Sequence, residues 1–324
     1  MPPDVTPDRS PGLAGPSPLA PPSGLATRLA EGRFVMTAEV VPPVSCDADA
    51  LIATAAPLRG VADAVNVTDG AGARAHMSAT AAAALLVRAG IEPILQLTCR
   101  DRNRIALQGE LMGAAALGIR NLLLLRGDDP KAGDQPDAKP VFDLDSRALT
   151  DTARLLRDEG RLPHGAAVGG RAEFFIGAAD MPIDPPPGWR PDALAAKVAA
   201  GAQFVQTQFC MDTAIVRRYV ARLAEAGLAV AVLIGVNPLR SARSAAWMRQ
   251  HLYGTIIPAA IDARMQAAAD PAAEGRRICV EVIEELATIP GVAGAHVMAP
   301  GNAAAIPEVI AAARARLPGR SGSR

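Results

Sequence analysis

Gln96-Leu-Thr-Cys-Arg-Asp-Arg-Asn103 closes the apolar run that begins at Pro93, and Leu124-Leu-Arg-Gly-Asp-Asp-Pro130 closes the run that begins at Asn121. Each polar cluster follows a short apolar segment and precedes a helix-like one. Polar residues at the C-terminal ends of buried parallel strands are where open α/β sheets and (β/α)8 barrels carry their chemistry. The two clusters therefore point to one site and to an enzyme.

Outward from these clusters the alternation continues. Candidate strands are 34–41, 64–68, 94–98, 121–125, 173–177, 204–208, 229–234 and 295–298, with helical segments between most of them. The strands are short and almost wholly apolar, as expected where helices cover a sheet. Gly90, Gly118, Gly201 and Gly227 stand just past helix ends, where a left-handed cap favours glycine. Eight βα units imply an α/β fold, a closed (β/α)8 TIM barrel of a single domain. Segment 253–272 is irregular and has room for an extra helix. Segments 130–141 and 180–191 are rich in Pro and Asp and read as long loops on the active face. Residues 1–25 lack apolar periodicity and read as a disordered tail, as do 318–324, which leaves 26–317 for the barrel.

The chain has 324 residues, 50% hydrophobic but only 3% aromatic, so Ala, Leu, Val and Ile must build the core. A net charge of zero excludes a strongly basic nucleic-acid binder. The four cysteines lack paired spacing, which favours reduced thiols and a cytoplasmic protein over a disulfide frame or metal site. No segment is long and apolar enough to span a bilayer, and no secretory leader is expected. A homo-oligomer is left open.

Glu39 lies late in an apolar strand, just before Pro42 and Pro43. A carboxyl there is costly to bury unless paired or used, and a protonated one can act as a general acid. The bland alternative is a solvated strand-end glutamate or an ion pair. Asp128 and Asp129 end the fourth strand, with Arg126 and Gly127 supplying a cation and a tight turn; the alternative is an ordinary acidic turn. Thr68, Asp69 and Gln208 end other strands and gain weight only by sharing that face. Gly70-Ala-Gly-Ala-Arg-Ala75 imitates a dinucleotide fingerprint, with Glu92 near the place of its ribose-binding acid. Thr68 and Asp69 separate it from the strand end, so a Rossmann turn is disfavoured. His296 reads as a satisfied core histidine.

Taken together, these motifs resemble the methylenetetrahydrofolate reductase family, and especially the reductase module that some bacteria fuse to a homocysteine methyltransferase. The likeness runs from about residue 33 to 315. Its carriers are Ala38-Glu-Val-Val-Pro-Pro43, Val67-Thr-Asp-Gly70, Leu97 to Asn103, Ala116-Leu-Gly-Ile-Arg-Asn121, Leu125 to Pro130, Val141-Phe-Asp-Leu-Asp-Ser146 and Phe175-Ile-Gly-Ala-Ala179. Lys197 to Phe204, Thr207-Gln-Phe209 with Asp212, Gly235-Val-Asn-Pro-Leu-Arg-Ser241 and then Ile257-Pro258 complete the series. The resemblance implies a barrel that holds FAD without a Rossmann turn. It implies hydride passage from NADH or NADPH through the flavin to methylenetetrahydrofolate, giving 5-methyltetrahydrofolate. On that likeness Glu39 is the ring-opening acid and Asp128 the carboxylate beside flavin and pterin. Gln208 bonds the pterin, Thr68 and Gln96 lie by the flavin, and Arg126, Gly127 and Lys197 contact FAD. No metal is implied. A relative that oxidises methyltetrahydrofolate, and a non-catalytic folate- or flavin-binding subunit, are the alternatives. The best-studied branch differs in having histidine at the place of Gln96, an aromatic at Ala179, an aromatic pair at Val40 and Val41, and arginine at Asn302.

Overall fold

The computed structural model describes residues 21–317. Eight parallel strands close into one barrel in chain order: β1 Val35–Val40, β2 Ala64–Val67, β3 Pro93–Thr98, β4 Asn121–Leu125, β5 Phe175–Asp180, β6 Phe204–Phe209, β7 Ala231–Val236 and β8 Val292–Val297. β8 pairs with β1 in parallel register, Val35 opposite Gly294 and Thr37 opposite His296. The expected single (β/α)8 barrel is therefore the fold.

Around it lie α1 Gly24–Ala30, α2 Ala48–Ala55, α3 Ala79–Arg88, α4 Arg104–Ala116, α5 Ser146–Glu159, α6 Asp192–Ala199, α7 Thr213–Glu225, α8 Ala242–His251, α9 Ala259–Ala267, α10 Pro271–Leu286 and α11 Ile306–Arg316. α9 is the extra helix for which 253–272 had room. Local chemistry starts most of these helices. Asn103, Asp145, Asp212 and Asp270 each accept a backbone N–H of the first turn, the role short polar side chains play at an N-cap. The four glycines past helix ends all adopt positive φ.

Side chains alternate across each strand and divide the core in two. Outward residues such as Met36, Leu95, Leu122, Val205 and Ile234 pack under the helices. Inward residues change character with height. At the floor Val35, Ala64, Ile94, Leu123, Phe175, Phe204 and Leu233 form an apolar layer. One step up, Thr37, Asn66, Gln96, Gln206 and His296 are polar and buried. A third step brings Glu39, Thr68 and Gln208 to the mouth. Gly177 belongs to the middle level, and a Cβ there would strike the Phe204 ring, which stacks on Phe175 at 4.9 Å.

The expected tail over 1–25 needs correction at its C-terminal end. Residues 1–20 lie outside the described residues, as does the expected tail at 318–324. Ser23 caps α1, however, and Leu25 is fully buried in the floor layer. Glu92 accepts the Gly24 and Leu25 amides at 3.1 and 2.9 Å, and the Ser23 hydroxyl donates to Asn121 at 2.6 Å. The apolar pattern of α1 is too short to stand out in the sequence: Leu25 and Ala26 are buried, and Leu29 packs beside them. Glu92 is thus a floor clamp, at the opposite end of the barrel from Glu39. β5 also differs: it starts at Phe175, with Glu173 outside the strand in an ion pair with Arg120 at 2.5 Å, and it runs on past Gly177 to Asp180 by pairing with β6.

Candidate active site

At the mouth, Glu39 is the second-last residue of β1, so the strand's alternation turns it inward above Thr37. Its carboxyl oxygen Oε2 lies 3.4 Å from the Gln96 amide nitrogen and 3.9 Å from His296 Nε2. Its side chain retains about 20% exposure, which leaves it open to a reactant. Beneath it runs a polar tie across the barrel. His296 Nδ1 and the Thr37 hydroxyl are 2.9 Å apart. Gln206 donates to Thr37 at 3.0 Å and exchanges hydrogen bonds with Asn66 at 2.6 and 3.0 Å. Strands β1, β2, β6 and β8 are thereby linked through buried groups whose polar atoms satisfy one another. His296 is the satisfied core histidine that was expected, and it is also a neighbour of Glu39.

Thr68, just past β2, is buried, and its hydroxyl has no hydrogen-bond partner. A buried orphan hydroxyl is uncommon and calls for a ligand or water to complete it. Beyond β4, Gly127 adopts φ +91°, and a Cβ there would lie 2.9 Å from that of Arg100 and 3.0 Å from that of Thr98. This close turn presents Asp128 and Asp129 differently. Asp129 caps the short turn Pro130–Ala132 by accepting the Lys131 amide at 2.9 Å. Asp128 is exposed, and no ion pair or hydrogen bond engages it among the described residues. The structure thus separates a structural aspartate from a free one.

Other expected residues are occupied within the protein. The Arg126 guanidinium lies 4.3 Å from the centre of the Phe142 ring, a cation–π contact. Lys197 donates to the Ala179 carbonyl at 2.6 Å. Gln208 donates to the Tyr253 carbonyl at 3.2 Å and accepts the Phe209 amide at 3.0 Å. Arg126 and Lys197 have no carboxylate partner among the described residues, so both stay available to an anion.

Much of the cluster 96–103 is scaffolding. Asp69 accepts the Thr98 amide and hydroxyl at 2.8 and 2.9 Å and grips Arg102 through both oxygens at 2.8 and 3.0 Å. Burial pushes the Asp69 carboxyl up, but Arg102 and Thr98 together outweigh it and hold it below the usual range. Arg100 binds Asp101 at 2.8 and 2.7 Å and the Gly70 carbonyl at 3.0 Å. Cys99 and Cys210 are free and buried, and burial pushes their thiols up to about 11 and about 12, away from reactivity. The segment 71–73 is a single tight turn, with no helix opening on it.

Glu39, Thr68, Gln96, Gln208 and, by its loop, Asp128 thus gather at one end of the barrel. Sequence reasoning missed Thr37, Asn66 and Gln206. Their signal was the alternation itself: each lies two residues before a mouth residue on its strand.

An inward carboxyl at the C-terminal mouth, ringed by amides and a free loop carboxylate, defines a (β/α)8 barrel whose site is built on its βα loops. The model of the methylenetetrahydrofolate reductase family matches residues 25–314, and the chain belongs to that family. A Caenorhabditis elegans protein called probable methylenetetrahydrofolate reductase (NADPH) is 31% identical over 166 residues, 50% of this chain and 23% of that one. A 5,10-methylenetetrahydrofolate reductase of Pectobacterium carotovorum subsp. carotovorum is 29% identical over 156 residues, 47% of this chain and 45% of that one. The matched stretches thus cover less than half of these curated relatives. Among solved structures, a Clostridium thermocellum protein described as binding two copies of 5-methyl-5,6,7,8-tetrahydrofolic acid superposes with a TM-score of 0.60 at 13% identity, covering 90% of this chain and 98% of that one. That likeness is one of fold.

Proposed function

We infer that this chain reduces 5,10-methylenetetrahydrofolate to 5-methyltetrahydrofolate with NADH or NADPH, using FAD as its bound carrier. The observation that carries this reading is Glu39, an accessible carboxyl held inside the mouth by Gln96 and His296, within a chain of this family. The orphan Thr68 hydroxyl, the unpaired Asp128 and the cations of Arg126 and Lys197 fit a flavin dinucleotide. Thr68 and Gln96 would hold its ring, and Arg126, Gly127 and Lys197 its diphosphate side. When bound, that group would supply hydride transfer between the nicotinamide and the folate.

The protein's own part is proton and charge handling. Opening the folate's five-membered ring needs a proton on N10, a poor leaving group, and Glu39 supplies it. The ring-opened folate carries a 5-iminium cation, which the free Asp128 carboxylate stabilises by its charge. Gln208 orients the pterin by its amide, itself steadied by the Tyr253 carbonyl. The folate-binding Clostridium thermocellum barrel supports a folate ligand for this architecture.

Glu39→Gln keeps shape and hydrogen bonding but carries no proton to give. Stopped-flow should find reduction of the protein by NAD(P)H near normal and folate reduction slower by ~100-fold or more. Equal losses in both halves would mean that Glu39 is structural.

A further inference from the structure

β6 carries one residue more than β7 as the two strands reach the mouth. Gln206 stands opposite Leu233 and Phe209 opposite Gly235, so three steps along β6 answer two along β7. Thr207 and Gln208 fill the interval that Ile234 spans alone. Such a β-bulge bends its strand locally and re-aims a side chain, often beside a site.

The Thr207 side chain closes this bulge. Thr207 is buried, and its hydroxyl oxygen accepts the Gly235 amide at 3.0 Å. Its proton goes to the Gln208 carbonyl at 2.9 Å. One hydroxyl thus offers an acceptor to β7 and a donor to its own strand, where a regular ladder would use main-chain groups. Gly235 permits the approach. A Cβ there would strike the Thr207 carbonyl oxygen and lie 2.9 Å from the Gln208 carbonyl carbon. Beyond the bulge the ladder resumes, with the Cys210 amide donating to the Gly235 carbonyl at 2.9 Å.

Gln208 is the residue so re-aimed, and its amide is oriented from two sides. Its Oε1 accepts the Phe209 amide at 3.0 Å, and its Nε2 donates to the Tyr253 carbonyl at 3.2 Å. A flipped amide would set donor against donor and oxygen against oxygen. A side-chain amide has two N–H groups and two lone pairs, so one of each is left for the mouth. Their direction depends on the backbone of the bulge, and the bulge depends on Thr207.

We propose that Thr207 is a positioning residue: by closing the bulge its hydroxyl sets the pose in which Gln208 meets the pterin, an inference that rests on the folate reading above. Thr207 acts only through Gln208. A residue that merely braced the barrel would act on binding whatever stood at 208.

Calorimetric titration of the FAD-loaded full chain with 5-methyltetrahydrofolate tests this in the native protein, T207V, T207S, Q208A and T207V/Q208A. T207V keeps the shape and loses the hydroxyl. It should bind about three- to tenfold more weakly, the effect of one neutral hydrogen bond. T207S keeps the hydroxyl and should bind close to the native protein. T207V/Q208A should bind no more weakly than Q208A, because the two changes remove one interaction. An equal loss from T207V in both backgrounds would make Thr207 a general brace and overturn the proposal. So would T207V binding like the native protein, or T207S binding as weakly as T207V. T207A takes the place of T207V if the valine variant does not fold, and failure of both to fold would overturn the proposal by making the hydroxyl a requirement of the barrel. A native protein that binds no 5-methyltetrahydrofolate would refute the folate reading, and this proposal with it.

Discussion

Replacing Leu25 by alanine should destabilise the whole barrel, although the residue lies on a seven-residue helix outside the βα repeat. Leu25 is fully buried among Val35, Ala64, Ile94 and Leu123. The floor layer consists of side chains from many strands, and strands cannot close around a lost side chain as a loop can. Truncating a leucine in such a setting costs ~3 kcal/mol, within the usual range of about 2–5. For a domain of this size that is a fall in Tm of about 5 °C. Removing residues 1–25 should lower it further, because Asn121 and Glu92 then lose the Ser23, Gly24 and Leu25 donors. Thermal melts followed by circular dichroism, with exposed Val44→Ala as the control, measure both. A chain lacking 1–25 that melts within about 1 °C of the intact protein would refute the floor-anchor argument.

Asp128→Asn should slow the folate half-reaction by about 10- to 100-fold, whereas Asp129→Ala should chiefly lose a cap, ~1 kcal/mol of stability; stopped-flow and melts on the two variants would give the opposite pattern if the roles were reversed. Gly127→Ala combines a left-handed φ with contacts below 3.1 Å and should destabilise by about 1–3 kcal/mol in denaturant titrations; a neutral result would mean that the turn relaxes freely. Asp69 is held below the usual carboxyl range in the folded state, so its stabilisation is complete above an ordinary aspartate pKa of about 3.9 and is lost as pH falls through the folded value. Asp69→Asn should therefore lower Tm most at neutral pH, with the gap from the native protein narrowing in acid; a constant gap would deny the Arg102 clamp its electrostatic part.

The barrel was legible because its evidence is repetitive: eight apolar runs, each answered by a helix and many closed by glycine or a cap. β4 coincided with its expected bounds because Asn121 and Arg126 bracket an unbroken leucine run. β5 did not, because Ala178, Ala179 and Asp180 carry weak strand preference and are held by pairing with Val205, Gln206 and Thr207. Propensity alone does not reveal a partner strand. Glu39 and Asp128 stood out as charges at strand ends. Asp69 and the arginines at 100 and 102 stood out equally, yet they bind one another and shape the loop. Residue type does not tell a free charge from a paired one until the chain is folded. The tie from His296 to Asn66 was hidden for a related reason, since it joins residues up to 259 positions apart.

The plugged floor makes the barrel a vessel that opens at its mouth. Val35, Ile94, Phe175 and Phe204 pack with Leu25 across its base. Above them the tie of Thr37, Gln206 and Asn66 leaves its polar groups mutually satisfied. Among the described residues, the apolar floor and this tie both lie between Glu39 and the lower end of the barrel. If Glu39 is the proposed acid, whatever replenishes its carboxyl between turnovers would enter from the mouth, by the route the reactants use. Traffic through that doorway would then be sequential, and occupancy of the mouth would govern when the acid is recharged.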